Sequence, residues 1–254
     1  MKMFGGKSGF RWYKKAAALL LGVAVAGAGM AEAHPIRTPE GNMPVVHWAV
    51  VVSTPGQMGY IGELGAKILG SVSSQEAGTY ALYGCIDKDD ADTMRLLEIY
   101  ESNEAYRIHG SSEAFQKYRA ARYPVLKELK ILEVNGIVLE QKAEGTGTFA
   151  ILRRYEANPK SLAEFQELTA AEARRAVRDD DGVLGMYITA EQPRPDIFHT
   201  MELFSDEAAY KAYVNSSHYK NWQNRTNSMI TKAATIENRT ANIPLSKKGL
   251  QISK

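Results

Sequence analysis

Residues 45–52 read VVHWAVVV, an almost unbroken apolar run rich in β-branched side chains, which predicts a buried strand. After Pro55, the stretch GQMGYIGELGAKILGSVSS places Ile61, Leu64, Ile68 and Val72 at helical spacing. GTYALYGCI predicts a second strand opened by a turn at Glu76–Gly78, and the polar loop DKDDAD leads into a third, TMRLLEIYE. SNEAYRIHG then starts with residues suited to capping a helix, and a second helical piece is expected from about Ser112 to Leu129. KILEVNGIVLEQK closes the series as a strand. The order is β-α-β-β-α-β, the ferredoxin-like split βαβ unit.

The chain then writes the same pattern again. Shifted by 104 residues, Pro55 meets Pro159, Gly78 meets Gly182 and Tyr83 meets Tyr187. Glu98 meets Glu202, Ala105–Tyr106 meets Ala209–Tyr210, and Ser112 meets Ser216, all without a gap. A period this long marks a duplicated domain, since solenoid repeats run about 20–50 residues. The reading is α+β: two tandem domains, 44–142 and 148–246, joined by a linker at 143–147. One four-stranded sheet with helices on one face leaves its other face bare. Two such sheets packed face to face cover each other, so the expectation is an intramolecular dimeric α/β-barrel.

Residues 1–33 stand apart. Lys2, Lys7, Arg11, Lys14 and Lys15 precede AAALLLGVAVAGAGMA, and small residues at Ala31 and Ala33 complete an A-x-A cleavage pattern. The apolar run is about 16 residues, shorter than the roughly 20 that span a bilayer. The expectation is therefore a cleaved signal peptide, with a mature protein starting near His34 in the periplasm or outside the cell and no membrane contact after cleavage; the alternative is an uncleaved anchor. The chain has 31 basic and 29 acidic residues; the leader takes five basic and one acidic, leaving 26 against 28. No basic, aromatic-interleaved stripe remains to read as a nucleic-acid surface. Cys85 has no second cysteine to pair with, and its place in YALYGCID reads as a small buried strand residue.

The repeated phrase resembles the antibiotic biosynthesis monooxygenase (ABM) domain, which includes the quinol monooxygenases. The resemblance rests on Glu-x-Gly before strand two, a Tyr within it, Glu-x-Tyr on strand three, then Ala-x-x-x-His and a further His-Phe on the helix. The first copy keeps Glu76, Gly78, Tyr83, Glu98, Tyr100, Ala105, His109 and Phe115, with Ala114 at the second histidine position. The second keeps Gly182, Tyr187, Glu202, Ala209, His218 and Tyr219, with Tyr213 at the first histidine position. The resemblance implies a pocket in each half between sheet and helices, and oxidation of quinols or polycyclic phenols by molecular oxygen with neither metal nor flavin. Other relatives degrade haem or isomerise small molecules, so fold does not name the substrate.

Such chemistry needs a base to deprotonate a phenolic substrate, and a histidine oriented by a carboxylate suits the task. The first copy offers His109 with Glu98, and Tyr83 and Tyr100 as donors or ring contacts. The second offers His218, Glu202, Tyr187 and Trp222. His47, His199 and Tyr213 complete the candidate binding residues, although strand alternation does not say which face is the pocket. The alternative role for Glu98 and Glu202 is structural, holding the corner after strand three. No H-x-x-x-H, H-E-x-x-H, dinucleotide loop or G-x-S-x-G elbow is present. The expected cofactor set is empty, and the expected partners are a small hydrophobic or aromatic substrate and molecular oxygen, with further self-association left open. The competing function is a non-catalytic binding module for a hydrophobic small molecule or haem.

Overall fold

The computed structural model describes residues 36–70, 75–145, 147, 149–246 and 250–253; the leader sequence lies outside them. The first half runs β1 (Val45–Ser53), α1 (Met58–Leu64), β2 (Thr79–Asp87), β3 (Thr93–Tyr100), α2 (Asn103–Ser111), α3 (Glu113–Arg122) and β4 (Leu126–Gln141). The second runs β5 (Phe149–Ala157), α4 (Leu162–Asp179), β6 (Val183–Glu191), β7 (Ile197–Phe204), α5 (Glu207–Asn215), α6 (Ser217–Thr226) and β8 (Ile230–Ser246), followed by β9 (Gln251–Ser253). The repeat extends to the helix caps. Ser102 and Asp206 accept from the backbone N–H groups of Ala105 and Ala209, and Ser112 and Ser216 from those of Phe115 and Tyr219.

The expected second helical piece is shorter than its pattern implied. Pro124 lies in a 3-10 turn at Tyr123–Val125, and β4 starts at Leu126 where helix was expected to run to Leu129. Tyr123 keeps helical backbone angles, but Pro124 has no N–H to bond back to the preceding turn, so the α-helical ladder does not run on through it.

The two sheets also do more than face each other. They are one sheet in the order β1-β3-β2-β8-β5-β7-β6-β4-β9, and β1 pairs with β4 to close the first eight strands into a barrel. Closure depends on two long strands that change partners midway. β4 pairs with β1 through Leu126–Val134, then with β6 of the other half through Val134–Gln141. β8 pairs with β5 through Ile230–Glu237, then with β2 through Asn238–Ser246. All these pairings are antiparallel, and no edge is left between the halves.

Strand alternation sorts the side chains into two layers. Val46, Trp48, Tyr83, Cys85, Leu97 and Ile99 of the first half meet Leu152, Leu184, Tyr187, Met201 and Leu203 of the second in the barrel interior. The outer face carries the helices, with separate cores beneath those of the first half and those of the second. Burial pushes the Cys85 thiol up to about 12, which leaves it an inert packing group. Its counterpart Thr189 accepts from the Trp48 indole at 3.0 Å.

The repeated Gly and Ala of the motif have a packing role. A Cβ on Gly78 would come within 2.5 Å of the Ala105 Cβ, and one on Gly182 would collide likewise with Ala209. Each half needs the pair so that the first turn of its third-strand helix can lie on the start of its second strand.

Candidate active site

On the outer face of the first half, β1, β3 and β4 lay side chains out in rows. Glu98, His47 and Glu133 form one row, Leu96, Ala49 and Ile131 the next, and Met94, Val51 and Leu129 the third. Helices α1, α2 and α3 cross above these rows and leave a cavity of about 230 Å³. A cavity of ~150 Å³ holds one benzene ring, so this space suits a molecule of two fused rings. Small residues make the room: Ala49 in the floor, Gly62 and Gly65 in the helix wall, Gly84 on β2. From Gly65 to Leu69 the wall is a π-helical stretch, a local widening often found beside functional sites.

The walls are largely apolar, with Tyr100, Tyr106, Phe115 and Tyr118 as their aromatic part, and Glu98, His109 and Arg122 supply polar groups. His109 comes from α2, with its ring 5.4 Å from Tyr100 and 4.9 Å from Phe115. Its Nδ1 meets Glu76 Oε2 at 2.8 Å, and that oxygen also accepts from the Thr79 hydroxyl at the same distance. With Nδ1–H donating to Glu76, Nε2 is the ring's remaining acceptor. Glu98 is largely buried, and desolvation pushes its carboxyl up to about 7 despite the opposing influence of Arg122. The Tyr100 hydroxyl lies 3.4 Å from it. Arg122 is 7 % exposed; its guanidinium sits 5.0 Å from the Tyr118 ring, and its Nε has no hydrogen-bond partner.

The expected pairing of His109 with Glu98 is therefore corrected. The carboxylate that orients His109 is Glu76, and the histidine nearest Glu98 is His47, whose Nδ1 lies 3.9 Å away. Burial lowers the His47 pKa, and its ring packs edge-on against Tyr106. His109, Glu98 and Tyr100 line the cavity, and His47 lies beside Glu98 without lining it.

The remaining candidates are elsewhere. Tyr83 and Tyr187 face the barrel interior, where their hydroxyls meet each other and Gln141, because Leu82 and Gly84 take the pocket face of β2. His199 also points inward, its Nε2 bonded to Glu191 at 2.8 Å and its ring 6.2 Å from Trp48. His218 is exposed on α6.

Glu202, Tyr213 and Trp222 do occupy the second half's version of the site, but that version is filled. Arg153 stands at the position of Ala49 and bonds Glu202 Oε1 at 2.9 Å, Thr235 at 3.1 Å and the Tyr210 hydroxyl at 3.4 Å. Phe165 replaces Ile61, Ile188 replaces Gly84 and Phe198 replaces Met94, all buried in one cluster. Thr169 stands where Gly65 does and accepts from the Trp222 indole at 3.2 Å. Tyr213, at the position of His109, packs between Phe204 and Tyr219. Glu202 has exchanged an apolar surround for an ion pair.

Glu76, Arg122 and Tyr106 belong to the site and were not among the expected functional residues. The signal that could have located the open half was the run of small residues, which the second copy replaces with Arg, Thr and Ile. Among the described residues no three His, Cys, Asp or Glu side chains gather as a metal ion would require.

The model of the antibiotic biosynthesis monooxygenase family matches residues 45–121 and 148–225. The chain belongs to that family, in a form that carries both members of the pseudo-dimer in one polypeptide. No curated protein sequence matches it significantly. Among solved structures, a candidate monooxygenase from Fusobacterium nucleatum superposes with a TM-score of 0.77 at 19% identity, covering 83% of this chain and 98% of that one. One from Lactobacillus acidophilus gives 0.77 at 14% identity, covering 82% and 98%. An anthrone oxidase-like protein gives 0.52 at 12% identity, covering 85% and 99%. These likenesses establish the shared fold, and family membership makes monooxygenase chemistry the activity to be explained.

Proposed function

We propose that the chain oxidises a quinol or similar hydroxylated aromatic with molecular oxygen, using the pocket of its first half and no cofactor. The observation that carries this reading is Glu98: a carboxyl raised to about 7 inside an apolar, ring-sized cavity, beside an oriented histidine and a buried arginine. A base near neutrality is well matched to taking a proton from a phenolic hydroxyl. Glu98 takes that proton, His109 Nε2 accepts from the second hydroxyl, and the Arg122 guanidinium faces the negative charge left on the ring. The electron-rich quinolate then reduces oxygen. One oxygen atom is inserted at a ring C–H to give C–OH, and the quinol becomes the quinone. The other oxygen leaves as water with the two hydroxyl hydrogens, so the ring supplies all four electrons.

The second half, its pocket filled, serves as the partner that closes the barrel. We also propose that residues 1–33 direct export and are removed, so that the mature protein begins at His34; the basic start, apolar run and A-x-A site support this. Mass spectrometry of the exported protein tests it, and an intact leader would refute it.

Oxygen uptake by the purified, metal-free protein with reduced naphthoquinols tests the activity. Uptake above the autoxidation background that is lost in Glu98→Gln and His109→Ala, with folding intact, is the expected result. Binding of every quinol without turnover would instead make the chain a binding module, and a Soret shift on haem titration would redirect the search to haem.

A further inference from the structure

We infer that the substrate of this pocket carries an extended apolar substituent, which leaves the ring site across Leu129 and Ile131 on the outer face of β4. The inference rests on the quinol reading for the ring but on separate observations for the substituent. Leu129 and Ile131 line the cavity and yet remain 40% and 43% exposed.

Register makes the strip continuous with the floor. Ile131 lies opposite Ala49, which lies opposite Leu96; Leu129 lies opposite Val51, which lies opposite Met94. A ligand whose hydroxyls reach the Glu98 row rests on Leu96 and Ala49. Anything attached to the far side of its ring meets Ile131 next. Adjacent strands are about 4.8 Å apart, so the path from β3 to β4 is roughly 10 Å.

The second half provides an internal control. Its strand has Ala233 and Thr235 at the places of Leu129 and Ile131, and Thr235 bonds Arg153. The same fold, at the same two positions, is therefore built without large apolar side chains. Leu129 and Ile131 accompany the open pocket, and exposed leucine and isoleucine gain nothing from water until something apolar covers them. An alkyl or isoprenoid chain on the substrate ring is the occupant that continuity with the cavity favours over a second protein chain.

The test uses the full mature protein and a series of 2-alkyl-1,4-naphthoquinones of increasing chain length. Binding of the oxidised compounds is followed by calorimetry, and turnover of their reduced forms by oxygen uptake. Affinity should rise roughly twofold to fourfold per methylene over the first several carbons and then level off. In the double variant Leu129→Ala with Ile131→Thr, this dependence should flatten, whatever the variant does to the unsubstituted ring. A chain-length dependence absent from the wild-type protein, or unchanged in the variant, would overturn the inference. So would sedimentation showing that the wild-type protein self-associates and that the variant does not, because the strip would then be covered by another copy. A length-dependent affinity for the quinones without oxygen uptake by any quinol would leave the substituent path standing and refute the monooxygenase reading alone.

Discussion

Tyr83 and Tyr187 are the same residue of the two copies, 104 positions apart, and their hydroxyls meet at 2.9 Å inside the barrel. Gln141 accepts from both through Oε1, so one side chain of β4 serves the two halves at once. All three are buried, and a hydroxyl removed here leaves a polar neighbour short of a partner. Tyr83→Phe and Tyr187→Phe should each lower stability by about 1–3 kcal/mol in urea unfolding. The double variant should deviate from the sum, because the two hydroxyls touch each other and share one acceptor oxygen on Gln141. Quinol turnover below the unfolding range should be retained; a loss of kcat with stability intact would restore the tyrosines to the catalytic set.

Glu98 predicts a pH dependence of both rate and stability. As a base it must be ionised, so kcat/KM should rise with pH through about 7, and Glu98→Gln should abolish activity along with that limb. For stability, the folded value of about 7 lies above the ordinary 4.5. The folded protein holds this proton more tightly, and its contribution is complete below pH 4.5 and lost as pH rises through 7. Glu98→Gln should therefore stabilise the protein at pH 8, by at most about 3 kcal/mol, relative to its effect at pH 4.5. Equal effects at the two pH values would show that the carboxyl is not held neutral by its surroundings.

The Glu76–His109 pair predicts a graded loss. Glu76→Gln should leave the imidazole in place but poorly oriented, lowering kcat/KM by up to roughly a hundredfold. His109→Ala should cost more. A Glu76→Gln enzyme as active as the wild type would reduce Glu76 to a cap for the turn before β2.

Arg153 and Glu202 predict the opposite behaviour in the other half. Arg153→Met leaves a buried carboxylate unpaired and should cost about 3–5 kcal/mol, most of it recovered by adding Glu202→Leu. Neither change should alter catalysis in the first half. Conversely, Gly84→Ile, which installs the second copy's residue in the first, should fill the cavity and abolish ligand binding while leaving the fold intact. Calorimetric titration and thermal unfolding together decide both cases.

The repeat, the strand and helix order and the family were legible because they depend on residues that recur at a fixed offset. That Glu98, Tyr100 and His109 lie close together was legible because one short phrase carries strand and helix together. Tyr83, Tyr187 and His199 were misplaced for one cause. GTYALYGCI is apolar throughout, since both faces of β2 are covered, so no alternation showed that Leu82 and Gly84 look outward and Tyr83 inward. His199 was misplaced for the same reason. His218 followed the family pattern to a position that this chain leaves on the surface. Glu76 was visible as a motif residue, but its bond to His109 spans 33 residues and depends on how the turn before β2 meets α2. The inequality of the two pockets lay in the sequence as Ala49 against Arg153 and Gly84 against Ile188. It becomes readable only when small residues are treated as space.

The exchange of β4 and β8 also sets the order in which the molecule can be assembled. The free edge of β2 is sealed only by residues 238–246, close to the end of the chain. The first half therefore cannot complete its sheet while the ribosome is still making the second. Pairing so distant in sequence gives a high contact order, which slows folding and prolongs the exposure of bare strand edges. Expressed alone, the first repeat should seek a second copy of itself to supply the missing strand, whereas the two repeats made as separate polypeptides should reassemble into one barrel.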